Sequence, residues 1–286
     1  MHRYYVTDLD GTLLRSDATI SPYSAEVLSQ AADSGAMIGY ATARSWQSSR
    51  SIVSSIPWNC PVVLYNGAVL LDPRTRTVLS GRWLDRDTAN ALLTLGRSYG
   101  LVPLAFALDP YDGEKVYHEK LTRAEDLAFK ASRPNDPRFE ELETLSMTET
   151  DRTLILTYIG AYETLEPLAQ AAKRAFAGNI HIHFMQDGYL DAYFLEFSHP
   201  QANKRDGLQA WCRYVGCEPA DVTVFGDQLN DIGMFETAGR RVAVSNADTR
   251  LIALADHITS TNDDDGVARY IAGEPHEERL EGRPSC

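Results

Sequence analysis

The stretch HRYYVTDLDGTLL, residues 2–14, decides the fold. Residues 2–7 read as a short strand that delivers Asp8 at its end. Asp10 follows two positions later, and Gly11 lets the backbone turn sharply. Two carboxylates placed this way, where a strand becomes a loop, can face one site. At about 4 Å, in an effective dielectric of about 20, their repulsion is about 4 kcal/mol, so a cation is expected beside them. Alone, the pair also fits a solvated turn that caps a helix.

Working outward, Ser21-Pro22 starts a helix, with Val27, Leu28, Ala31 and Ala32 as its apolar stripe. Gly35 stops it. Residues 36–41 form a second strand ending at Thr42, and residues 61–65 a third ending at Asn66-Gly67. This is βαβαβ, which implies a parallel sheet. The middle of the chain reads differently. Residues 87–99 and 164–176 are helical, the latter with Pro167 in its first turn. Residues 101–108, 152–159, 181–185 and 190–197 are extended, with loops at Asp109-Pro110 and 133–137. Alternation then returns. Residues 203–215 form a helix with Leu208, Trp211, Cys212 and Val215 on one face, and residues 222–225 a buried strand ending at Gly226-Asp227. Residues 232–238 form a short helix stopped by Gly239, and residues 241–244 and 257–259 two further strands; the tail, 274–286, is polar. The expected architecture is an α/β parallel-sheet core from residues 1–82 and 195–286. An α+β domain, residues 83–194, is inserted into it.

Composition narrows the partners. The chain has 286 residues, with 27 basic and 40 acidic side chains and a net charge of −13. That balance argues against a general binder of nucleic acid or membrane surface. A hydrophobic share of 44% argues against disorder. No run reaches the roughly 20 apolar residues of a membrane span, and Asp8 and Asp10 stand where a leader needs apolar residues. A cytoplasmic location is expected. Cys60, Cys212, Cys217 and Cys286 form no CxxC pair and read as reduced, structural thiols.

Three more features sit at element ends, where open α/β sheets bind ligands. Gly226-Asp227-Gln228-Leu229-Asn230-Asp231 adds two carboxylates after another buried strand. With Asp8 and Asp10 this gives an oxygen-only set suited to a hard cation such as Mg²⁺. Thr42 with Arg44 offers a hydroxyl and a cation, and the threonine also fits a helix cap. Lys204 opens an amphipathic helix, where a cation opposes the helix dipole by about 0.3–1 kcal/mol; a local rule broken there points to function.

Together, in this order, these features resemble the haloacid dehalogenase superfamily of phosphohydrolases, in its Cof-type branch. Asp8-Leu9-Asp10-Gly11-Thr12-Leu13-Leu14 is similar to the first motif and Thr42 to the second. Lys204 matches the third, and Gly226-Asp227 with Asn230-Asp231 the fourth. Asn66-Gly67-Ala68, Val242-Ala243-Val244 with Asn246-Ala247, and Asp265-Gly266-Val267-Ala268 also resemble that branch. The likeness spans about residues 2–82 and 195–272, and the middle matches the branch's type-two cap in length and position. The resemblance implies a phosphatase for a small phosphorylated metabolite. In it Asp8 is the nucleophile, Asp10 the general acid and base, and Thr42 and Lys204 bind the phosphoryl oxygens. Mg²⁺ is held by Asp8, the Asp10 carbonyl and Asp227, with Asn230 and Asp231 orienting the surroundings; Arg44, Asn66 and Gly67 fall to substrate binding. A phosphomutase or phosphotransferase on the same scaffold, or a non-catalytic phosphate-binding module, stays open. Two departures stand out: Ala43 replaces the branch's usual glycine, and Arg205 follows the lysine.

The inserted domain is expected to shield the site and supply selectivity, with Tyr111, Tyr117, His118, Tyr189 and Asp191 as candidate contacts. His181 and His183 share a strand face and read as a surface pair, since no carboxylate or thiol partner is evident. Asp263-Asp264-Asp265 reads as a solvated loop before the last helix.

Overall fold

A computed structural model describes residues 3–186 and 192–273. Tyr189, Asp191, Cys286 and the tail 274–286 lie outside the described residues. Two compact units result. One runs to Gly81 and resumes at Asn203; the other is Arg82–Ala202.

In the first unit, β1 (Tyr4–Thr7) leads into a wound turn, Leu9–Leu13. α1 (Pro22–Asp33) starts at Ser21, whose hydroxyl accepts the Ser24 amide at 2.9 Å, with Pro22 in the first turn. Of the predicted stripe only Leu28 is fully buried; Ser24, one turn earlier, takes the other inward position. β2 (Met37–Tyr40) pairs parallel with β1, and α2 (Trp46–Ser49) follows. β3 (Val62–Leu64) departs from the expected parallel strand. It meets Ala41 through one parallel bridge at Val63, and otherwise pairs antiparallel with β4 (Val69–Asp72), which pairs with β5 (Thr77–Gly81).

The second unit holds α3 (Arg86–Ser98), β6 (Leu104–Leu108), β7 (Glu114–His118), α4 (Ala124–Ala131), β8 (Phe139–Glu141), β9 (Arg152–Gly160), α5 (Tyr162–Ala175), β10 (His181–Gln186) and β11 (Tyr193–Ser198). Its mixed sheet has the order β10-β11-β9-β6-β7-β8. Leu92, Leu156, Leu165, Leu168, Leu195 and Phe197 are among the side chains of its main core. The second junction falls at 202/203 rather than at 194/195. The reason is that Tyr193–Ser198 is a strand of this sheet, hydrogen-bonded to both β9 and β10.

The chain then adds α6 (Lys204–Val215), β12 (Val222–Gly226), α7 (Ile232–Phe235), β13 (Arg240–Val244), α8 (Thr249–Ile252), β14 (His257–Thr259) and α9 (Gly266–Ala272). The resulting parallel sheet has the order β14-β13-β12-β1-β2. Leu208, Trp211 and Cys212 bury the inner face of α6, and the Trp211 indole donates to the Pro61 carbonyl at 2.9 Å. Gly216 ends the helix in the left-handed region, so the Cys217 amide returns to the Cys212 carbonyl at 3.1 Å. Cys60, Cys212 and Cys217 are free thiols, and burial raises the pKa of each. The acidic run before α9 is bonded rather than merely solvated. Asp263 accepts the Ser16 amide and hydroxyl, and Asp265 accepts from Ser24 and pairs with Arg15 at 3.1 Å. Among the described residues, no helix is long and apolar enough to cross a membrane.

Candidate active site

β1 and β12 are parallel neighbours in register, so their carboxyl ends release Asp8 and Asp227 side by side. The Asp8 amide donates to the Phe225 carbonyl at 3.0 Å, which ties the start of one loop to the end of the other strand. After Asp8 the chain winds through Asp10, near extended backbone at ψ 123°, and Gly11 at φ +73°. A Cβ on Gly11 would come within 2.4 Å of Asp227 Oδ2, so glycine is needed there for both φ and space.

Oxygens of Asp8, Asp227 and Asp231 all lie within 4.8 Å of one another, and all three residues are buried. Lys204 is 1% exposed, and its Nζ stands 2.6 Å from Asp8 Oδ1 and 2.6 Å from Asp231 Oδ1. The other Asp231 oxygen accepts the backbone amides of Asp227 at 3.0 Å and Gln228 at 3.2 Å. Thr12 donates to Asp227 Oδ1 at 2.9 Å. Burial pushes the Asp8 carboxyl well above the usual carboxylate range; Lys204 opposes this while Asp231 and Asp227 add to it. Asp227 is raised by burial and by Asp231, against the Thr12 hydrogen bond and Lys204. Burial works to discharge Lys204, but Asp231 and Asp8 outweigh it and hold the ammonium above its ordinary value.

Asp10 is not one of these converging, buried carboxylates. Arg44 grips both its oxygens, Nε to Oδ2 at 2.7 Å and a terminal nitrogen to Oδ1 at 2.5 Å, and also reaches the Ser48 carbonyl. Side-chain exposure is 52% for Asp10 and 24% for Arg44. Arg44, expected to meet the substrate, thus meets the expected acid. Thr42 is fully buried, and its hydroxyl oxygen accepts the Arg44 amide at 3.1 Å. Ala43 has no left-handed backbone, so the missing glycine creates no strain. Asn66, at φ +54°, accepts from Asn230 at 3.0 Å. Gly67, expected at the substrate, also has a packing reason: at φ +104° its Cβ would come within 2.0 Å of the Asn203 carbonyl at the start of α6. Arg205 pairs with Glu236 on the surface.

Three contributors escaped the sequence reading: Thr12 on Asp227, Asn246 donating to the Gly11 carbonyl at 2.9 Å, and the Asp248 amide on the Asp227 carbonyl at 2.8 Å. Thr12 and Asn246 lie inside quoted motifs, so a polar residue within a motif was the available signal. In the second unit, Tyr111 is exposed and the Tyr117 hydroxyl donates to Asp151 at 3.3 Å. His118 is fully buried, with Nδ1 2.8 Å from the Glu119 carbonyl and Nε2 3.3 Å from Lys130 Nζ, so it is not an open contact.

The donor chemistry fits a divalent cation. Asp8, Asp10, Asp227 and Asp231 set four carboxylates against Lys204 and Arg44, a formal imbalance of minus two that one such ion cancels.

The fold and this constellation define a phosphohydrolase class, and comparison with known proteins agrees. The family described as haloacid dehalogenase-like hydrolase matches residues 5–271, and the chain belongs to it. It is 30% identical over 270 residues to the 5-amino-6-(5-phospho-D-ribitylamino)uracil phosphatase YitU of Bacillus subtilis, spanning 92% of this chain and 94% of that one. It is 24% identical over 277 residues to the pyridoxal phosphate phosphatase YbhA of Escherichia coli, spanning 94% and 97%. The crystal structure of TM0651 from Thermotoga maritima matches with a TM-score of 0.80 at 23% identity, over 97% of this chain and 99% of that one. The chain is a phosphatase of this family, a phosphoric monoester hydrolase with an inserted mixed-sheet cap.

Proposed function

We propose that this phosphatase hydrolyses a primary phosphate ester of a small polar metabolite through an aspartyl-phosphate on Asp8. The named relatives act on a phosphoribitylamino-uracil and on pyridoxal phosphate. The observation that carries the reading is Asp8 itself: a buried carboxylate at a strand end, held by Lys204 at 2.6 Å, with Asp227 and Asp231 beside it.

Asp8 attacks phosphorus, the bond to the alcohol oxygen breaks, and the acyl phosphate forms. Lys204 and the Thr42 hydroxyl bind the equatorial oxygens, where transition-state charge spreads. The Thr42 oxygen only accepts in its bond to Arg44, so its proton is left to donate. Asp10 gives a proton to the leaving oxygen and then takes one from the water that opens the intermediate. Arg44, with a nitrogen on each Asp10 oxygen, sets where that carboxyl points. Asp8, Asp227 and the Asp10 carbonyl would hold Mg²⁺, with Asn230 and Asp231 fixing the groups around them. The ion supplies the positive charge that lets a phosphate dianion approach a carboxylate.

The test is a panel of phosphate monoesters assayed for inorganic phosphate with Mg²⁺. Release of inorganic phosphate from primary esters, lost in excess chelator, is the expected result. Transfer to a second alcohol without free phosphate would make the chain a mutase or transferase, and undiminished rates in chelator would overturn the metal assignment.

A further inference from the structure

The inserted unit carries a polar row that the phosphatase reading leaves unused. His181 and His183 lie two residues apart on β10 and so share one face of the sheet. Their ring centroids are 6.5 Å apart. β10 is an edge strand, and its neighbour β11 places Glu196 directly opposite His183. His183 Nδ1 lies 3.8 Å from Glu196 Oε2. On the next strand, Thr157 of β9 stands directly opposite Glu196 and donates to its other oxygen, Oε1, at 3.3 Å. Leu195 and Phe197 belong to the unit's main core and the half-buried Ile182 and Phe184 pack against it, so the alternation of the strands puts the polar row on the other face. His181 is exposed, and His183 and Glu196 are partly so.

We propose that His181, His183 and Glu196 form a second metal site, for a borderline transition ion such as Zn²⁺. Two imidazoles and one carboxylate suit such an ion, whereas the oxygen-only set at the strand ends suits Mg²⁺. Zinc held at about 2.1 Å by two ligands in tetrahedral geometry needs their atoms about 3.4 Å apart. The His183–Glu196 pair is already at 3.8 Å. His181, exposed at the start of its strand, does not yet converge with the other two as the buried aspartates do, so the site requires its side chain to rotate towards them. Thr157 orients the carboxylate from behind, as partners of metal ligands do. The bound ion ties the edge strand β10 to β11. The inference is independent of the phosphatase mechanism, in which none of these four residues has a role.

The test is calorimetric titration of the full chain with Zn²⁺, Mg²⁺ being present in saturating excess. Wild type takes up zinc with micromolar affinity, and the double variant His181→Gln/His183→Gln loses that uptake. Thr157→Val, which keeps every ligand, weakens it by about tenfold. Histidine-selective ¹⁵N NMR of the unaltered protein gives a readout that does not depend on how variants fold. Zinc is expected to shift two of the seven histidines. Equal uptake by wild type and double variant, or histidine signals that zinc leaves in place, would overturn the proposal and reduce the row to a cross-strand ion pair.

Discussion

Lys204 is a buried cation at the first position of a helix, which is unfavourable on two counts, and two carboxylates at 2.6 Å offset both. Removing it leaves Asp8 and Asp231 buried without that partner. Lys204→Met is therefore expected to lose about 3–5 kcal/mol in urea unfolding, the cost of breaking a buried pair from one side. The sign with pH follows from its raised value: the contribution is full below the ordinary lysine range and is lost only in strong alkali. Asp8→Asn is expected to have the opposite effect on stability, with the same sign in pH. The folded chain holds Asp8 above its unfolded value, so the contribution of this group is present at low pH and lost as pH rises. At neutral pH an amide removes that penalty while ending nucleophilic attack. Turnover should fall by at least about 10³-fold while the melting temperature stays level or rises. A variant that kept substantial activity would defeat the role given to Asp8.

Between elements, the decisive contact is the turn after β3 against the start of α6. Gly67 meets the Asn203 backbone there, and Asn203 caps α6 by accepting the Asp206 amide at 3.0 Å. Gly67→Ala adds a methyl both at φ +104° and against an immobile carbonyl. It should cost more than about 2 kcal/mol in urea unfolding and lower phosphatase activity in the surviving fold, because Lys204 is the next residue. The same turn marks how far the sequence could be read. Asn66-Gly67 was legible as a strand end, yet it also begins a hairpin whose second arm, Val69–Asp72, was not read. β7 and α4 were missed for a related reason: Glu114–His118 mixes charged and apolar residues, and Ala124–Ala131 is too short for a helical period to show. The strand-end carboxylates could be read because two buried runs end in Asp in one chain, in order with Thr42 and Lys204, although each alone also fits a helix cap. The Arg44 grip on Asp10 could not, since 34 residues separate them and only side-chain direction brings them together.

For the whole molecule, charge is the organising quantity. A chain of net charge −13 that binds a dianion needs its positive charge gathered locally, yet Lys204 and Arg44 both already face carboxylates. In the proposed mechanism a bound ion supplies the remaining positive charge, and its affinity follows pH. Asp8 and Asp227 both hold protons more tightly than ordinary carboxylates, so a cation binding them displaces protons. As pH falls, protonation competes and ion binding weakens. Mg²⁺ should therefore raise the melting temperature at pH 8, where a hundredfold excess over the dissociation constant is worth about 2.7 kcal/mol. The gain should shrink markedly towards pH 5.5. Asp227→Asn should abolish it at both pH values, because the amide leaves Asp8 as the one carboxylate ligand. A magnesium effect of equal size at pH 5.5 and 8, or one that survives in Asp227→Asn, would place the ion away from the strand ends and remove the electrostatic basis for attack by Asp8.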